Sequence, residues 1–303
     1  MQTTLDCLPC FLRQTLYAAR LCSPDIQVQK RIMAGILSVL SALDFRLSPP
    51  ENAVSIYKRI AELGGCTDPF AGLKEESNKA ALKLRPRLEE IIAGAADPAA
   101  TAVKLAMAGN IIDYGAQQSF DIEQTIDNCL AGEPWGGGMA QFLADAGRAA
   151  RILYLGDNCG ELVFDGLFIR QLAEQGKEVV LAVKERPIIN DALAGDAVAC
   201  DLDRYCTVIA NGTGCPGTPL SQCSGDFQKV FLNADLIISK GQGNFETLAG
   251  TRGPIYYLLT VKCGVVADHL EQLAGRSATS ATGRPPLGAM VLIKNPVSDL
   301  DEH

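Results

Sequence analysis

The chain has 303 residues, of which 48% are hydrophobic and 20% charged, and its net charge is −8 at pH 7. These values predict a globular protein with a large core, and the acidic balance argues against nucleic-acid binding, which requires clustered lysine and arginine. The two histidines are too few for a three-histidine zinc site, and the HExxH motif is missing. Any metal is therefore expected to be held by oxygen, or less favourably by sulfur.

No apolar run reaches membrane-spanning length, and the N-terminal MQTTLDCLPC lacks the basic and apolar regions of a signal peptide. The sequence therefore predicts a cytoplasmic protein without a membrane partner. Its eleven cysteines are odd in number and spread along the chain, which favours reduced thiols over a disulfide framework.

Apolar residues recur at three- and four-residue spacing through the first half of the chain, which predicts helices. The predicted helices span residues 7–22, 27–43, 51–63, 68–95 and 97–116. Asp68 before Pro69 is an N-cap signal for the fourth helix, and Pro86 is expected to kink or restart it. The glycines around residue 136 interrupt the pattern and predict a boundary or a loop over a site.

The second half alternates short apolar β-branched runs with helical segments. The predicted strands lie at residues 151–156, 178–183, 206–210, 235–239, 255–261 and 289–293. Such alternation predicts an α/β fold with a mostly parallel sheet that is covered by helices on both faces. In open sheets of this kind, ligands bind outside the C-terminal ends of the strands.

Oxygen-bearing side chains follow the first two predicted strands. Asp157 and Asn158 come directly after the first strand, with Glu161 close behind as a candidate substrate contact, and Asp191 follows the second strand. Carboxylate and amide oxygens are ligands of Mg²⁺-type ions, which keep several waters and share a substrate phosphate. Each motif alone is typical of a turn or an N-cap, so their occurrence at successive strand ends carries the functional interpretation.

Groups suited to an anion follow the later strands. Lys240 is a mobile cation that suits a phosphoryl oxygen, and Gly241 in the KGQGN segment allows backbone N–H groups to approach an anion. Asn211 and Gly212 in NGTG offer a similar loop. A metal, a cation and backbone donors around one anion are the parts that phosphoryl transfer needs.

Two further features lie in the helical half. Cys7 and Cys10 have the spacing of thiolate ligands or of a redox pair, but no second CxxC completes a zinc site, so two reduced core thiols are the alternative. Asn110 and Asp113 lie three residues apart on one helix face. They predict either a capped helix end or a wall of the active site that contacts substrate.

As an ordered set, seven motifs resemble one family: DCLPC, DPFAGLKEESNKAAL, AGNIIDYG, LGDNCGELVFD, ERPIINDA, NADLIISKGQGNFETL and VKC. The family was first described as domain of unknown function 89 and comprises metal-dependent damage-control phosphatases. The resemblance extends from Asp6 to Cys263, and the CxxC pair is similar to that of the prokaryotic-type subfamily. It implies an α-helical domain, here residues 1–135, packed on a three-layer α/β/α sandwich over residues 136–303.

The resemblance also implies roles for individual residues. A divalent ion (Mg²⁺, Mn²⁺, Co²⁺ or Ni²⁺) would be bound by Asp157, Asn158 and Asp191, while Lys240 would contact the phosphate with Asn244 nearby. The implied activity is hydrolysis of small phosphomonoesters, either sugar phosphates or damaged phosphometabolites. We expect a metal-activated water to attack phosphorus, with direct attack by Asp157 as the alternative.

Two other functions compete with this hypothesis. LYLGDNCGE resembles a degenerate glycine-rich turn of an S-adenosylmethionine-dependent methyltransferase, although the G-x-G pattern is missing and Lys240 would have no anion to meet. A non-catalytic metal- or nucleotide-binding protein is the second alternative. The expected partner in the favoured hypothesis is a small phosphorylated metabolite.

Overall fold

The computed structural model describes residues 1–110, 122–275 and 283–296. Asp113, one of the predicted substrate contacts, lies outside these ranges. Within them, no helix combines the length and the apolar composition needed to cross a membrane. All eleven cysteines are free thiols, as expected from their number and spacing.

Three helices begin the chain and build a hydrophobic cluster of their own. They are α1 (Cys7–Cys22), α2 (Ile26–Ser41) and α3 (Pro49–Gly64). The cluster contains Phe11 and Ile60 and also receives Ile188, which comes from the second half of the chain. Burial of these side chains is what holds the three amphipathic helices together.

Four more helices precede the sheet: α4 (Ala71–Ala93), α5 (Pro98–Gly109), α6 (Ile122–Ala131) and α7 (Met139–Arg148). Their apolar side chains share a second cluster with one face of the sheet. Along the helical half, the change from the first hydrophobic cluster to the second therefore comes just after Phe70. The predicted domain boundary between residues 135 and 136 stays a prediction.

The predicted start of α4 is wrong, and of the two alternatives predicted at Pro86, a kink or a restart, the restart does not occur. The carboxylate of Asp68 accepts the N–H of Phe70 and lies 2.6 Å from Lys74 Nζ, but the helix begins at Ala71 rather than after Asp68. The helix also continues through Pro86 without restarting. Proline removes one helical hydrogen bond, and packing of α4 against the helix that follows the first strand outweighs that local cost.

The six predicted strands are confirmed as β1 (Arg151–Leu155), β2 (Glu178–Val183), β3 (Thr207–Ala210), β4 (Leu236–Lys240), β5 (Ile255–Thr260) and β6 (Met290–Lys294). Their order in the sheet is β3-β2-β1-β4-β5-β6, with β1 to β5 parallel and β6 antiparallel to β5. The strand order reverses between β1 and β4, and such a switch point opens a crevice at the carboxyl ends of the strands.

Helices cover both faces of the sheet, so the predicted three-layer sandwich is confirmed. The helices of this half are α8 (Glu161–Glu174), α9 (Ala194–Ala199), α10 (Gly225–Asn233), α11 (Gln242–Leu248) and α12 (Gly264–Ala274). Successive residues of a strand point to opposite faces, so neighbouring residues of β1 face different layers. Tyr154 packs with α4, α5 and α8, while Leu153 packs with α10 and α12.

The interrupted segment around residue 136 lies against the edge strand β6. Trp135 N–H donates to the carbonyl of Met290 at 2.8 Å, and Leu292 N–H donates to the carbonyl of Trp135 at 2.9 Å. A Cβ on Gly136 would lie 2.1 Å from the Leu292 carbonyl oxygen. The segment therefore continues the sheet edge by backbone pairing.

Candidate functional site

The residues predicted after β1 and β4 meet at the switch point of the sheet. A Cβ added to Gly241, whose φ is 76°, would lie 1.8 Å from Asp157 Oδ2. Glycine is needed here because the carboxylate of Asp157 packs directly on the α-carbon. Gly243 of the same segment faces the Pro216 carbonyl oxygen, which would lie 1.9 Å from an added Cβ. Close packing, rather than an approach to an anion, explains both glycines of KGQGN.

We expect Gly241→Ala to destabilise the protein more than Gly176→Ala, which is a matched control. Gly176 has nearly the same φ, 78°, but nothing lies within 4 Å of an added Cβ. The control should lose only the cost of a positive φ, about 1 kcal/mol. Gly241→Ala should lose about 1–3 kcal/mol more, through overpacking and through its ψ of 165°, a region essentially restricted to glycine. Urea unfolding of both variants measures the difference, and equal losses would contradict the close packing of Asp157 on Gly241.

The structure brings together the three side chains predicted to bind a metal. The backbones of Asn158 and Asp191 pair in an isolated antiparallel bridge, and the Asp157 carbonyl accepts the N–H of Ala192 at 2.9 Å. Ile189, two residues before Asp191, adopts a φ of 44°, which β-branched residues avoid. Backbone strain of this kind is concentrated at functional sites.

The Oδ2 atom of Asp191 is buried and has no hydrogen-bond partner, and Lys184 Nζ lies 3.6 Å away. An unpartnered buried carboxylate oxygen is costly unless a cation or a donor reaches it. Within the described ranges, no three His, Cys, Asp or Glu side chains form a metal-binding group. Two carboxylates and one amide, from Asp157, Asp191 and Asn158, nevertheless form an oxygen donor set that fits a hard divalent ion.

Burial raises the pKa of both site carboxyls. The pKa of Asp157 is raised to about 6, first by burial and then by the charge of Glu161, against the opposing effects of Lys262 and Lys184. The pKa of Asp191 is raised to about 8 by burial, with Lys184 lowering it and Asp157 raising it. Asp191 therefore holds a proton near neutral pH that a divalent cation would displace, whereas Asp157 is mostly ionised at pH 7.

Lys240 lies in the interior, which differs from the expected mobile cation. Its side chain is fully buried, and Nζ donates to Glu161 Oε1 at 2.5 Å, to Asp165 Oδ1 at 2.6 Å and to the Ala106 carbonyl at 2.9 Å. Burial alone lowers the pKa of Lys240, but the charges of Asp165 and Glu161 outweigh it and raise that pKa. All three ammonium protons are donated to the protein in this arrangement.

Asp165 is a buried acid behind the site that the sequence patterns did not reveal. Burial raises its pKa to about 7, although Lys240 lowers it, and Tyr154 donates its hydroxyl to Asp165 Oδ1 at 2.6 Å. Asp165 lies four residues after Glu161, so the two acids share one face of α8, in its apolar and buried first half. That i,i+4 spacing was the available signal.

Lys184 is a second missed residue, and it directly follows β2. It is buried, and Nζ donates to the Gly217 carbonyl at 2.8 Å and to Asn244 Oδ1 at 3.3 Å. Its position after a strand matches that of Lys262 beyond β5, which is exposed. The placement of lysines after parallel strands was the signal for this residue.

Asn244, predicted to lie near the phosphate, has protein partners on both ends of its amide. Nδ2 donates to the carbonyls of Gly156 at 3.1 Å and Lys240 at 2.8 Å, while Oδ1 accepts from Thr218 Oγ1 at 2.7 Å and from Lys184. Asn244 thus joins the ends of β1 and β4 and helps to place Lys184.

Asn211 and Gly212 lie at the end of the edge strand β3. Asn211 Oδ1 accepts the N–H of Thr213 at 3.0 Å, and a Cβ on Gly212 would lie 2.5 Å from the backbone nitrogen of Ser224. In the described part of the chain, no hydrogen bond joins these two residues to the site carboxylates. They shape the turn into α10, and their contact with substrate stays a prediction.

Residues of the helical half reach the site from α1, α3 and α4. Asn78 Oδ1 accepts the N–H of Gly160 at 2.7 Å, which engages the N-terminus of α8. Cys7 is buried at the start of α1, and Cys10 is half-buried, with a pKa raised by burial. The pKa of Tyr57 on α3 is raised by burial and then by the charges of Asp191 and Cys10.

Comparison with known proteins identifies the relatives of this chain. The model of the damage-control phosphatase ARMT1-like domain matches residues 3–276. A damage-control phosphatase of Pyrococcus horikoshii is 32% identical over 97% of this chain and 99% of its own. A damage-control phosphatase of Archaeoglobus fulgidus is 32% identical over 86% of this chain and 92% of its own.

A solved structure has the same fold. The crystal structure of a DUF89 family protein from Pyrococcus horikoshii superposes with a TM-score of 0.87 at 31% identity, covering 97% of this chain and 99% of that one. The similarity therefore includes the helical half as well as the sheet.

Proposed function

The chain belongs to the damage-control phosphatase ARMT1-like family, and from that membership we propose that it is a metal-dependent phosphatase of small phosphomonoesters. Sugar phosphates or damaged phosphometabolites are the proposed substrates. One observation carries the proposal. At the switch point, Asp191 has a buried oxygen without a hydrogen-bond partner, and it lies close enough to the carboxylate of Asp157 for their charges to interact.

Asp157, Asn158 and Asp191 would hold the divalent ion, which when bound neutralises phosphate charge and lowers the pKa of an attacking water. Lys262 is the cation proposed to face the phosphate oxygens, because its charge acts on Asp157 and its side chain is exposed. Lys184 is buried beside Asp191 and Asn244, so its proposed role is to hold these two side chains in place. The glycine-rich start of α11 supports this arrangement by letting Asp157 approach β4.

Attack by water is favoured over attack by Asp157. Asp157 Oδ2 accepts hydrogen bonds from Asn110 Nδ2 at 3.0 Å and from Asn158 Nδ2 at 2.8 Å. A carboxylate oxygen engaged by two donors, on a residue that also binds the metal, is a poor nucleophile. The chain's residues would therefore bind and orient the substrate while water supplies the attacking oxygen.

Of the two competing functions, only the methyltransferase loses support from the structure. A methyltransferase would need a G-x-G turn after the first strand, but residues 155–160 read LGDNCG, and Asp157 packs on Gly241 at that turn. A non-catalytic metal-binding role would use the same carboxylates and is separated from hydrolysis by the assay below.

Two further properties are proposed. Cys7 and Cys10 support membership of the CxxC subfamily, and the free thiols support a cytoplasmic location.

Removal of metal should abolish hydrolysis of an aryl phosphate. We expect no turnover in EDTA and recovery when Mg²⁺, Mn²⁺, Co²⁺ or Ni²⁺ replaces the chelator, because the proposed ligands are two acids and an amide. A panel of phosphometabolites assayed with each ion then identifies the preferred substrate. Undiminished turnover after complete chelation would refute the metal requirement, and metal binding without hydrolysis of any phosphomonoester would favour the non-catalytic alternative.

A further inference from the structure

Two asparagine amides bridge the same pair of carboxylate oxygens at the end of β1. Asn158 Nδ2 lies 2.8 Å from Asp157 Oδ2 and 3.2 Å from Glu161 Oε2. Asn110 Nδ2 lies 3.0 Å from each of the same two atoms. Both amides therefore direct their NH₂ groups between Asp157 and Glu161.

The chemistry of these groups fixes which way each amide points. Ionised carboxylates only accept hydrogen bonds, and an amide NH₂ only donates them. The NH₂ of Asn158 must face the two acids, so its carbonyl oxygen is directed away from them. Asn110 is oriented independently, because its Oδ1 accepts the N–H of Thr260 at 3.2 Å.

Glu161 is itself held rigidly, since it is 1% exposed and its other oxygen, Oε1, accepts from Lys240 Nζ at 2.5 Å. We propose that Glu161, fixed by Lys240, is a positioning residue that orients the amide of Asn158 so that its carbonyl oxygen faces the metal. The inference rests on the proposed metal-binding function. It assigns Glu161 and Asn110 to orientation of the ligands instead of contact with substrate.

The substitution Glu161→Gln tests this role with almost no change in shape. Lys240 requires an acceptor, so the amide oxygen of the new side chain should take the place of Oε1 and its NH₂ the place of Oε2. The NH₂ of the new side chain would then face the NH₂ of Asn158. Rotation of the Asn158 amide by half a turn would relieve this conflict, but it would present the NH₂ of Asn158 to the metal. We expect Mn²⁺ affinity, measured by titration calorimetry without substrate, to fall about ten- to hundredfold.

A double-mutant cycle separates orientation from general damage. Aspartate has two equivalent oxygens, so in an Asn158→Asp background the orientation of residue 158 no longer matters. In that background, Glu161→Gln should change Mn²⁺ affinity by less than about threefold. If the two substitutions acted independently, Glu161→Gln would lower Mn²⁺ affinity as much as it does in the wild-type protein. Repetition of the full loss in that background would overturn the inference.

Asp165→Asn is the matched control, because Asp165 shares Lys240 but bonds neither amide. It should leave Mn²⁺ affinity within about threefold, and melting temperatures with circular dichroism confirm that each variant folds. If wild type binds Mn²⁺ and Glu161→Gln binds it equally well, Glu161 does not orient a ligand. If wild type binds no divalent ion, the proposed function fails first, so the two failures are distinguishable.

Discussion

Replacing Asp191 with asparagine should reduce metal-dependent hydrolysis at least about a thousandfold, because even loss of a residue behind the ligands commonly costs ten- to hundredfold. The same change should stabilise the metal-free protein by about 1–3 kcal/mol at pH 8, since a buried carboxyl is replaced by a neutral amide. Turnover at saturating Mn²⁺ and thermal melting in EDTA measure the two effects. Wild-type turnover would remove Asp191 from the site.

The stabilising effect should depend on pH in a defined direction. The pKa of Asp191 is raised from 3.8 to about 8, so this carboxyl contributes stability that is present below the unfolded pKa and is lost as pH rises towards 8. The amide of the Asp191→Asn variant does not titrate, so the melting temperature of the variant relative to wild type should increase between pH 4 and pH 8. A constant difference across that range would contradict the burial of a titrating carboxyl.

Lys240→Met should destabilise the protein by about 3–5 kcal/mol, because it leaves Glu161 and Asp165 buried without their cation. A mobile phosphate-binding lysine would cost less than about 1 kcal/mol. Urea unfolding at pH 8 in EDTA measures the loss. A melting temperature close to that of wild type, combined with weakened inhibition by inorganic phosphate, would restore the interpretation of Lys240 as a phosphate ligand.

Two further variants sharpen the result for Lys240. Addition of Asp165→Asn to Lys240→Met should recover part of the stability, since one of the two uncompensated acids becomes neutral. Lys262→Met changes an exposed lysine beside the site. It should weaken phosphate inhibition about ten- to hundredfold, the contribution of one charged hydrogen bond, with little change in melting temperature.

Local patterns were sufficient to predict the fold class. Short apolar β-branched runs identified all six strands, and the polar residues after them pointed to the C-terminal edge of the sheet, but the position of the crevice between β1 and β4 came only from the strand order. The antiparallel direction of β6 could not be predicted, because it depends on where the chain between β5 and β6 crosses the sheet edge. The continuation of α4 through Pro86 depends likewise on tertiary packing, which local propensity does not include.

The candidate site was only partly predictable for a similar reason. Sequence indicates which residues follow a strand, so it identified Asp157, Asn158 and Asp191. It does not indicate whether a side chain points outward to solvent or inward to the core. Lys240 was therefore expected to be mobile, and Asp165 was missed, because the ion pair between them forms only when α8 packs across β4.

The apolar faces that α4 to α7 share with the sheet affect how this chain emerges from the ribosome. Residues 1–148 are synthesised first, but Leu105 and its neighbours are covered only when Tyr154, Phe164 and finally the strands β4 to β6 arrive. At about 5–20 residues per second, these faces stay open to solvent for several seconds and are natural targets for chaperones. A chain that stops before β4 should therefore aggregate or be degraded rather than persist as a separate helical protein.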